Sequence, residues 1–525
     1  MRYFNTSGPV ICEDHYCLPP LERFDLPQIN NLIDQERYFV LHAPRQVGKT
    51  SFLLALMDYL NSGSKYHCLY VNLEIGQTAR GDVAEGMKGI LYQLASNARS
   101  FLKDSYPFEN YNEILTDAGP HAALIGLLTQ WTQELDRPLI LLLDEIDSLV
   151  GDTLIAVLRQ LRAGYPQRPS TFPQSVILCG VRDVRDYRIR TSDGRDIITG
   201  GSAFNIKAES LRMDDFTQDE TAYLYRQHTE ETGQIFEPEA IDLLWHLSQG
   251  QPWLVNALGY ELCFRMTAGQ DRSQPITADM VIEAKETLIQ RRDTHIDQLA
   301  DKLSEERVRG VIEPILAGDN EPEQLPMDDV QYVIDLGLVT AKGQLRIANA
   351  IYQEVIPRML TYTTQLTIAQ EPAWYMQPDG RLDLDKLLVA FQQFFRRHSE
   401  HWIERFDYKE AGPQLLMQAF LQRIVNGGGR VEREYGLGRT RTDLLLVWPY
   451  DGGEQTAVIE LKILYGSLEE TIAEGLAQTW GYMDKMGASD GHLIIFDRRS
   501  DRSWDEKIFR REEQFEGRPI TVWGM

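Results

Sequence analysis

Ala43-Pro44-Arg45-Gln46-Val47-Gly48-Lys49-Thr50 follows the apolar run Tyr38-Phe39-Val40-Leu41 and opens an amphipathic stretch from Thr50 through Leu60. A short apolar run bounded by a turn reads as a buried strand, and the spacing that follows it reads as a helix. The octapeptide thus sits at a strand-to-helix turn and matches the phosphate-loop pattern, with Ala43 in place of the first glycine. Backbone N–H groups at such a turn, with the positive end of the helix behind them, suit a polyphosphate. On this reading Ala43, Pro44, Arg45, Gln46, Val47, Gly48, Lys49, Thr50 and Ser51 form the cradle. Lys49 reaches the outer phosphates and the Thr50 hydroxyl ligates Mg²⁺. The cofactors implied are ATP and Mg²⁺.

Three further apolar runs, Cys68 to Leu73, Leu139 to Leu143 and Ser175 to Cys179, alternate with helical patterns. Near-continuous apolar strands separated by helices predict an α/β fold with a parallel sheet covered on both faces. The run ending at Leu143 leads into Asp144-Glu145-Ile146-Asp147, acids at a strand end of the kind a phosphate loop needs. Asp144 is expected in the Mg²⁺ shell, and Glu145 beside it would orient and deprotonate the attacking water. Gly180-Val181-Arg182 ends the fourth run, and Arg182 is expected to sense the γ-phosphate. Arg159, Arg162 and Arg168 are candidates for an arginine acting on a neighbouring copy, or are solvated surface residues.

From 216 to 300 the pattern is wholly helical. Beyond it, Leu336-Gly337-Leu338 and Ala348-Asn349-Ala350-Ile351-Tyr352 flank a short hairpin pattern. Together with the phosphate loop, the Asp-Glu strand end, Arg182 and Gly250-Gln251-Pro252, these segments resemble the STAND-type AAA+ ATPases related to the archaeal ATPase family. The resemblance covers about residues 1 to 360. It implies a P-loop ATPase core (1–215), a helical lid (216–300) and a winged helix (301–360), with Pro252 approaching the nucleotide. One departure is that 301–360 contains no histidine, the residue many such proteins use to hold bound ADP.

A linker at 361–382, rich in Thr and Pro, leads into residues 383–525. There Arg441 to Trp448 and Thr456 to Ile463 read as two strands of a hairpin joined by Pro449 to Glu454. Glu460 and Lys462 share one face of the return strand, while Ile459, Leu461 and Ile463 take the other. Asp443 followed by Glu460-Leu461-Lys462 resembles the PD-(D/E)xK nuclease superfamily, with Thr442 where the proline of the name would stand. The resemblance implies a C-terminal α/β, restriction-endonuclease-like domain in which Asp443, Glu460 and the helix acid Glu410 bind Mg²⁺. Lys462 would then act on the metal-bound water. Gln478 and Tyr482, four apart on the next helix, match the Gln-x-x-x-Tyr element of RecB-like members and share a helix face.

Composition bounds the rest. A chain of 525 residues exceeds one hydrophobic core. Its net charge of −25 argues against a protein that coats nucleic acid through clustered cations. Residues 401–525 hold only about −5 of that charge (21 carboxylates against 16 cations), so the acidity lies mostly upstream, and a nucleic-acid site, if present, must be local and metal-assisted. No apolar run approaches the roughly 18 residues of a membrane span, and the first residues carry no signal-peptide pattern, so no membrane association and a cytoplasmic location are expected. Cys12, Cys17, Cys68, Cys179 and Cys263 are odd in number with no C-x-x-C pair, and are expected as reduced thiols.

The function expected is an ATPase, acting as a homo-oligomer, that controls a Mg²⁺-dependent nuclease. DNA is the expected substrate and RNA the alternative. The setting implied by analogy is bacterial anti-phage defence or mobile-element control. A different class of reading is a STAND-type switch that oligomerises on a trigger and keeps the nuclease fold only as a scaffold. A nucleic-acid-binding regulator built on the winged helix is disfavoured, because 301–360 lacks a dense basic patch.

Overall fold

The computed structural model describes the chain except for residues 184–187, 191–196, 200–203, 292–293, 318–324, 344, 361–374, 406–416, 418–419, 422–429, 433–443, 451, 465, 498 and 500–501. The chain forms two compact units, Met1–Arg291 with Gln331–Leu338, and Arg292–Val330 with Val339–Met525. Among the described residues no helix is long and apolar enough to cross a membrane.

The first unit begins with a two-residue parallel pair, β1 (Tyr3–Phe4) and β2 (His15–Tyr16). Its body is a five-stranded sheet of β3 (Tyr38–His42), β4 (His67–Asn72), β5 (Leu139–Asp144), β6 (Ser175–Gly180) and β7 (Lys207–Arg212), in the order β4-β5-β6-β3-β7. Every pairing in it is parallel. Strand periodicity explains the two apolar layers. Val40, Leu69, Leu141, Leu143 and Leu178 point to one face and pack on the helices Val83–Asn97, Ala123–Glu134 and Gly151–Gly164. Their neighbours Phe39, Leu41, Cys68, Ile140, Leu142 and Ile177 point to the other and pack on Leu26–Asp34 and α1 (Lys49–Ser62). Both faces are therefore buried, as near-continuous apolar strands require.

After the sheet come α2 (Gln218–Thr232), α3 (Pro238–Ser248) and α4 (Pro252–Tyr260). The start of α2 is set by a capping box between Thr217 and Glu220. The turn before α4 is set by Gly250, which has φ +77 and whose carbonyl accepts the Phe216 N–H at 2.8 Å. A Cβ at that position would stand 1.9 Å from the Phe216 carbonyl oxygen, so only glycine fits.

In the second unit a short antiparallel hairpin pairs Val339–Thr340 with Arg346–Ile347, and His295 bonds the Tyr352 hydroxyl inside the helices around it. The remainder is a mixed six-stranded sheet of β8 (Arg430–Glu432), β9 (Leu444–Tyr450), β10 (Gly453–Ile463), β11 (Asp490–Phe496), β12 (Phe509–Phe515) and β13 (Arg518–Gly524), ordered β8-β9-β10-β11-β13-β12. Helix α5 (Leu384–Arg405) places Phe391 and Phe395 against Phe496 on one face. Helix α6 (Leu468–Met486) crosses between the parallel strands β10 and β11 and packs Ile472, Leu476 and Met483 on the other.

Two sequence expectations change. Cys12 and Cys17 are joined in a disulfide, with Cα atoms 5.5 Å apart, because the fold of β1 and β2 brings the ends of a tight Ile11 to His15 turn together. Cys68, Cys179 and Cys263 are buried thiols. The β9–β10 hairpin is also tighter than the proline suggested: Pro449 and Tyr450 are strand residues, and Tyr450 pairs directly with Gly453. The expected linker falls mostly on 361–374, outside the described residues.

Gly250→Ala is expected to destabilise the first unit by at least about 3 kcal/mol, because it combines a forbidden backbone conformation with a clash against main chain. Chemical denaturation of the two proteins, followed by far-UV circular dichroism, checks this.

Candidate functional site

The loop after β3 lies at the carboxyl edge of the parallel sheet, where open α/β sheets bind their ligands. Ala43 and Pro44 are buried at its start, Arg45 and Gln46 are exposed at its tip, and Val47 turns back into the core. Gln46 at φ 58 and Gly48 at φ +106 bend the backbone around the tip before α1 begins at Lys49. The Lys49 ammonium, on a side chain 6% exposed, donates to the carbonyls of Ala43 and Pro44, each at 2.9 Å. This holds the charge under the loop.

Asp144, the last residue of β5, is fully buried. Its Oδ2 accepts from the Thr50 hydroxyl at 2.7 Å and from the Tyr70 hydroxyl at 3.0 Å, and its Oδ1 accepts from the Glu145 N–H at 2.9 Å. Glu145 then takes a left-handed backbone conformation, φ 54, which costs a non-glycine residue roughly 1–3 kcal/mol and recurs at functional sites. Burial, followed by the charge of Asp147, pushes the Glu145 carboxyl above its ordinary value of 4.5, while Lys49 and Arg45 pull against that rise. Asp147 in turn accepts the Val181 N–H at 3.1 Å and ties the acidic strand end to the segment bearing Arg182. The Arg182 guanidinium lies 4.8 Å from the centre of the Tyr332 ring. Gly337, φ +77, comes against Pro44 in the same unit.

A cavity opens beside the loop. Gln46, Val47, Gly48 and Ser51 line one side and Pro252 with Trp253 another. The structure therefore brings four of the nine expected cradle residues, Gln46, Val47, Gly48 and Ser51, around one space with Pro252, while Lys49, Thr50, Asp144 and Glu145 lie outside its lining. It also adds residues that no motif marked. Asn5 to Gly8 of the N-terminal segment and Phe216 line the same cavity. The segment is fastened to the loop helix by Val10 N–H to Ser51 Oγ, 2.9 Å, and to α4 by Trp253 Nε1–H to the Thr6 carbonyl, 3.0 Å. Tyr70 was equally unmarked, although a hydroxyl inside an otherwise apolar run is a signal that could have been used.

In the second unit Glu460 is 1% exposed and pairs with the Lys462 ammonium at 3.2 Å. Both stand in register with Leu493 and Ile495, which belong to the layer under α6. The ion pair thus faces the helix that carries Gln478 and Tyr482. Gln478 is half-buried, and its Oε1 has no hydrogen-bond partner among the described residues. Asp443 and Glu410, the other expected metal ligands, lie outside the described residues. Among the described residues no group of three or more His, Cys, Asp or Glu side chains is placed to hold a metal ion.

No family model and no curated protein matches the chain. Among solved structures it is similar to the Walker-type ATPase of Pyrococcus abyssi, at 15% identity over 67% of this chain and 99% of that one, with a TM-score of 0.46. Cdc6p from Pyrobaculum aerophilum aligns at 15% identity over 65% of this chain and 93% of its own, TM-score 0.36. The Thermotoga maritima RuvB Holliday junction branch migration motor aligns at 13% identity over 62% and 90%, TM-score 0.32. At such scores the loop geometry, and not the superpositions, carries the reading of the site.

Because the buried Asp144 carboxylate depends on its donors, Tyr70→Phe is expected to lower the stability of the first unit by about 1.5–3 kcal/mol. Guanidinium unfolding midpoints at constant m-value measure it.

Proposed function

We propose that the first unit binds and hydrolyses ATP with Mg²⁺. The observation that carries this reading is the junction of the loop with the acidic strand end, where Thr50 and the buried Asp144 share a hydrogen bond directly beside Lys49. Hard oxygen donors of this kind suit Mg²⁺, so Thr50 and Asp144 are the residues that would hold it. When bound, the ion neutralises charge on the outer phosphates. Loop N–H groups from Gln46 to Ser51 bind the phosphates. Lys49 turns a third N–H, beyond the two given to Ala43 and Pro44, toward them. Glu145 accepts a proton from the attacking water, a task its raised proton affinity favours. Arg182 counters charge gathering on the γ-phosphate. A neighbouring copy in a homo-oligomer would contribute the further arginine.

The proposal for the second unit is a metal-dependent phosphodiesterase acting on nucleic acid, DNA in the first instance. Support comes from the buried Glu460 carboxylate paired with the partly exposed Lys462 ammonium on the sheet face beneath the helix of Gln478 and Tyr482. Burying a carboxylate is costly unless chemistry or further bonding offsets it. Glu460, with Asp443 and Glu410, would hold Mg²⁺, and Lys462 would orient the water. Nucleotide state would control cleavage through differential affinity for two conformations or assemblies. A scaffold without catalysis is the competing reading, and the cleavage assay below separates the two.

Lys49→Ala is expected to abolish binding of a fluorescent ATP analogue, whereas Glu145→Gln should bind normally and lose turnover by about 10²–10⁴-fold. Since Glu145 must be deprotonated to act, wild-type turnover should fall with decreasing pH through a value above 4.5, and Glu145→Gln should lack that limb. Steady-state ATPase assays across pH decide it, and equal turnover in the two proteins sinks the assignment.

Glu460→Ala and Lys462→Ala are each expected to remove Mg²⁺- or Mn²⁺-dependent nicking of plasmid DNA while leaving ATP turnover intact. If the wild-type chain cuts neither DNA nor RNA with either metal, with or without ATP, the scaffold reading replaces this one.

A further inference from the structure

We propose that the Cys12–Cys17 pair is a redox clasp that sets how tightly the first unit holds nucleotide, an inference that rests on the ATP reading of the cavity. The bond closes a loop only five positions apart in sequence, and its second cysteine itself lines the cavity. On both sides of the bond the chain is tied to something that matters for the site. Upstream, Val10 bonds Ser51 at the start of the loop helix and Thr6 bonds Trp253 of α4. Downstream, Cys17 exchanges two hydrogen bonds with Gln227 of α2, N–H to Oε1 at 3.2 Å and carbonyl from Nε2 at 2.8 Å. Buried Phe4 and Tyr16 seat the β1–β2 pair on the aromatic rings of α2, with the Tyr16 hydroxyl 3.1 Å from His228 Nδ1. The cross-link thus pins a segment that joins the loop helix to the helices across the cavity.

Cys12 and Cys17 are partly exposed, whereas Cys68, Cys179 and Cys263 are 1% exposed or less. A dithiol or disulfide reagent therefore meets the pair and not the core thiols. Oxidation removes two protons and two electrons from the two thiols, forms the Sγ–Sγ bond, and converts one glutathione disulfide into two glutathione thiols. Reduction by a dithiol runs the same exchange backwards. Without the bond, residues 5 to 17 gain conformations that nucleotide binding must remove again, so the reduced protein binds more weakly.

The test titrates a fluorescent ATP analogue into the full chain in oxidised glutathione and in dithiothreitol, with alkylation and intact mass reporting the state of the pair. Wild type is expected to bind roughly three- to tenfold more weakly when reduced. The Cys12→Ser/Cys17→Ser double variant should bind like the reduced protein in both buffers. Hydrogen exchange of residues 5–17 should be faster in the reduced protein and in the variant. Equal affinity in the two wild-type states, or tighter binding on reduction, overturns the clasp while leaving the ATP reading in place. Binding in neither state, or binding unchanged by Lys49→Ala, overturns the ATP reading and the clasp with it.

Discussion

A carboxylate buried at the carboxyl edge of a parallel sheet has to be surrounded by donors, and in this chain Asp144 organises the site through that demand. Three donors from three parts of the chain meet it: Thr50 from the loop helix, Tyr70 from the neighbouring strand, and the N–H of Glu145 next in sequence. Each bond fixes something else. Thr50 sets the angle at which α1 leaves the loop, Tyr70 locks β4 against β5, and the Glu145 bond accompanies the left-handed turn that aims the neighbouring carboxylate. An unsatisfied charge at this depth would cost several kcal/mol, so loop, helix and acidic strand end are held as one arrangement.

The second unit applies the same constraint to a different fold. Glu460 is as buried as the leucines around it, and Lys462 is its neighbouring cation. The mixed sheet gives Glu460 a covered face on a rigid element. The first unit instead places its acids just past the strand ends, where backbone turns and not sheet faces aim them.

The N-terminal segment makes contact with both the loop helix and the helices that follow the sheet. Its strands are two residues long, too short to stand on pairing alone, and it is held by aromatic packing and by side-chain bonds to Ser51, Gln227 and Trp253.

Local structure was legible in the sequence where it is written in consecutive residues. The phosphate loop, the Asp144-Glu145 strand end, the apolar strands of the first sheet and the Glu460/Lys462 spacing depend on neighbours along the chain, so periodicity and motif suffice to place them. Contacts between distant segments were not legible, because periodicity tells which face of an element is apolar and not what covers it. Tertiary structure alone decided that the face carrying Glu460 is buried under α6, that Pro252 and Asn5 to Gly8 share one cavity, that Tyr70 serves Asp144, and that Cys12 meets Cys17. The pairing of those cysteines follows from a turn held by β1 and β2 packing on α2, a cause more than 200 residues away in the chain.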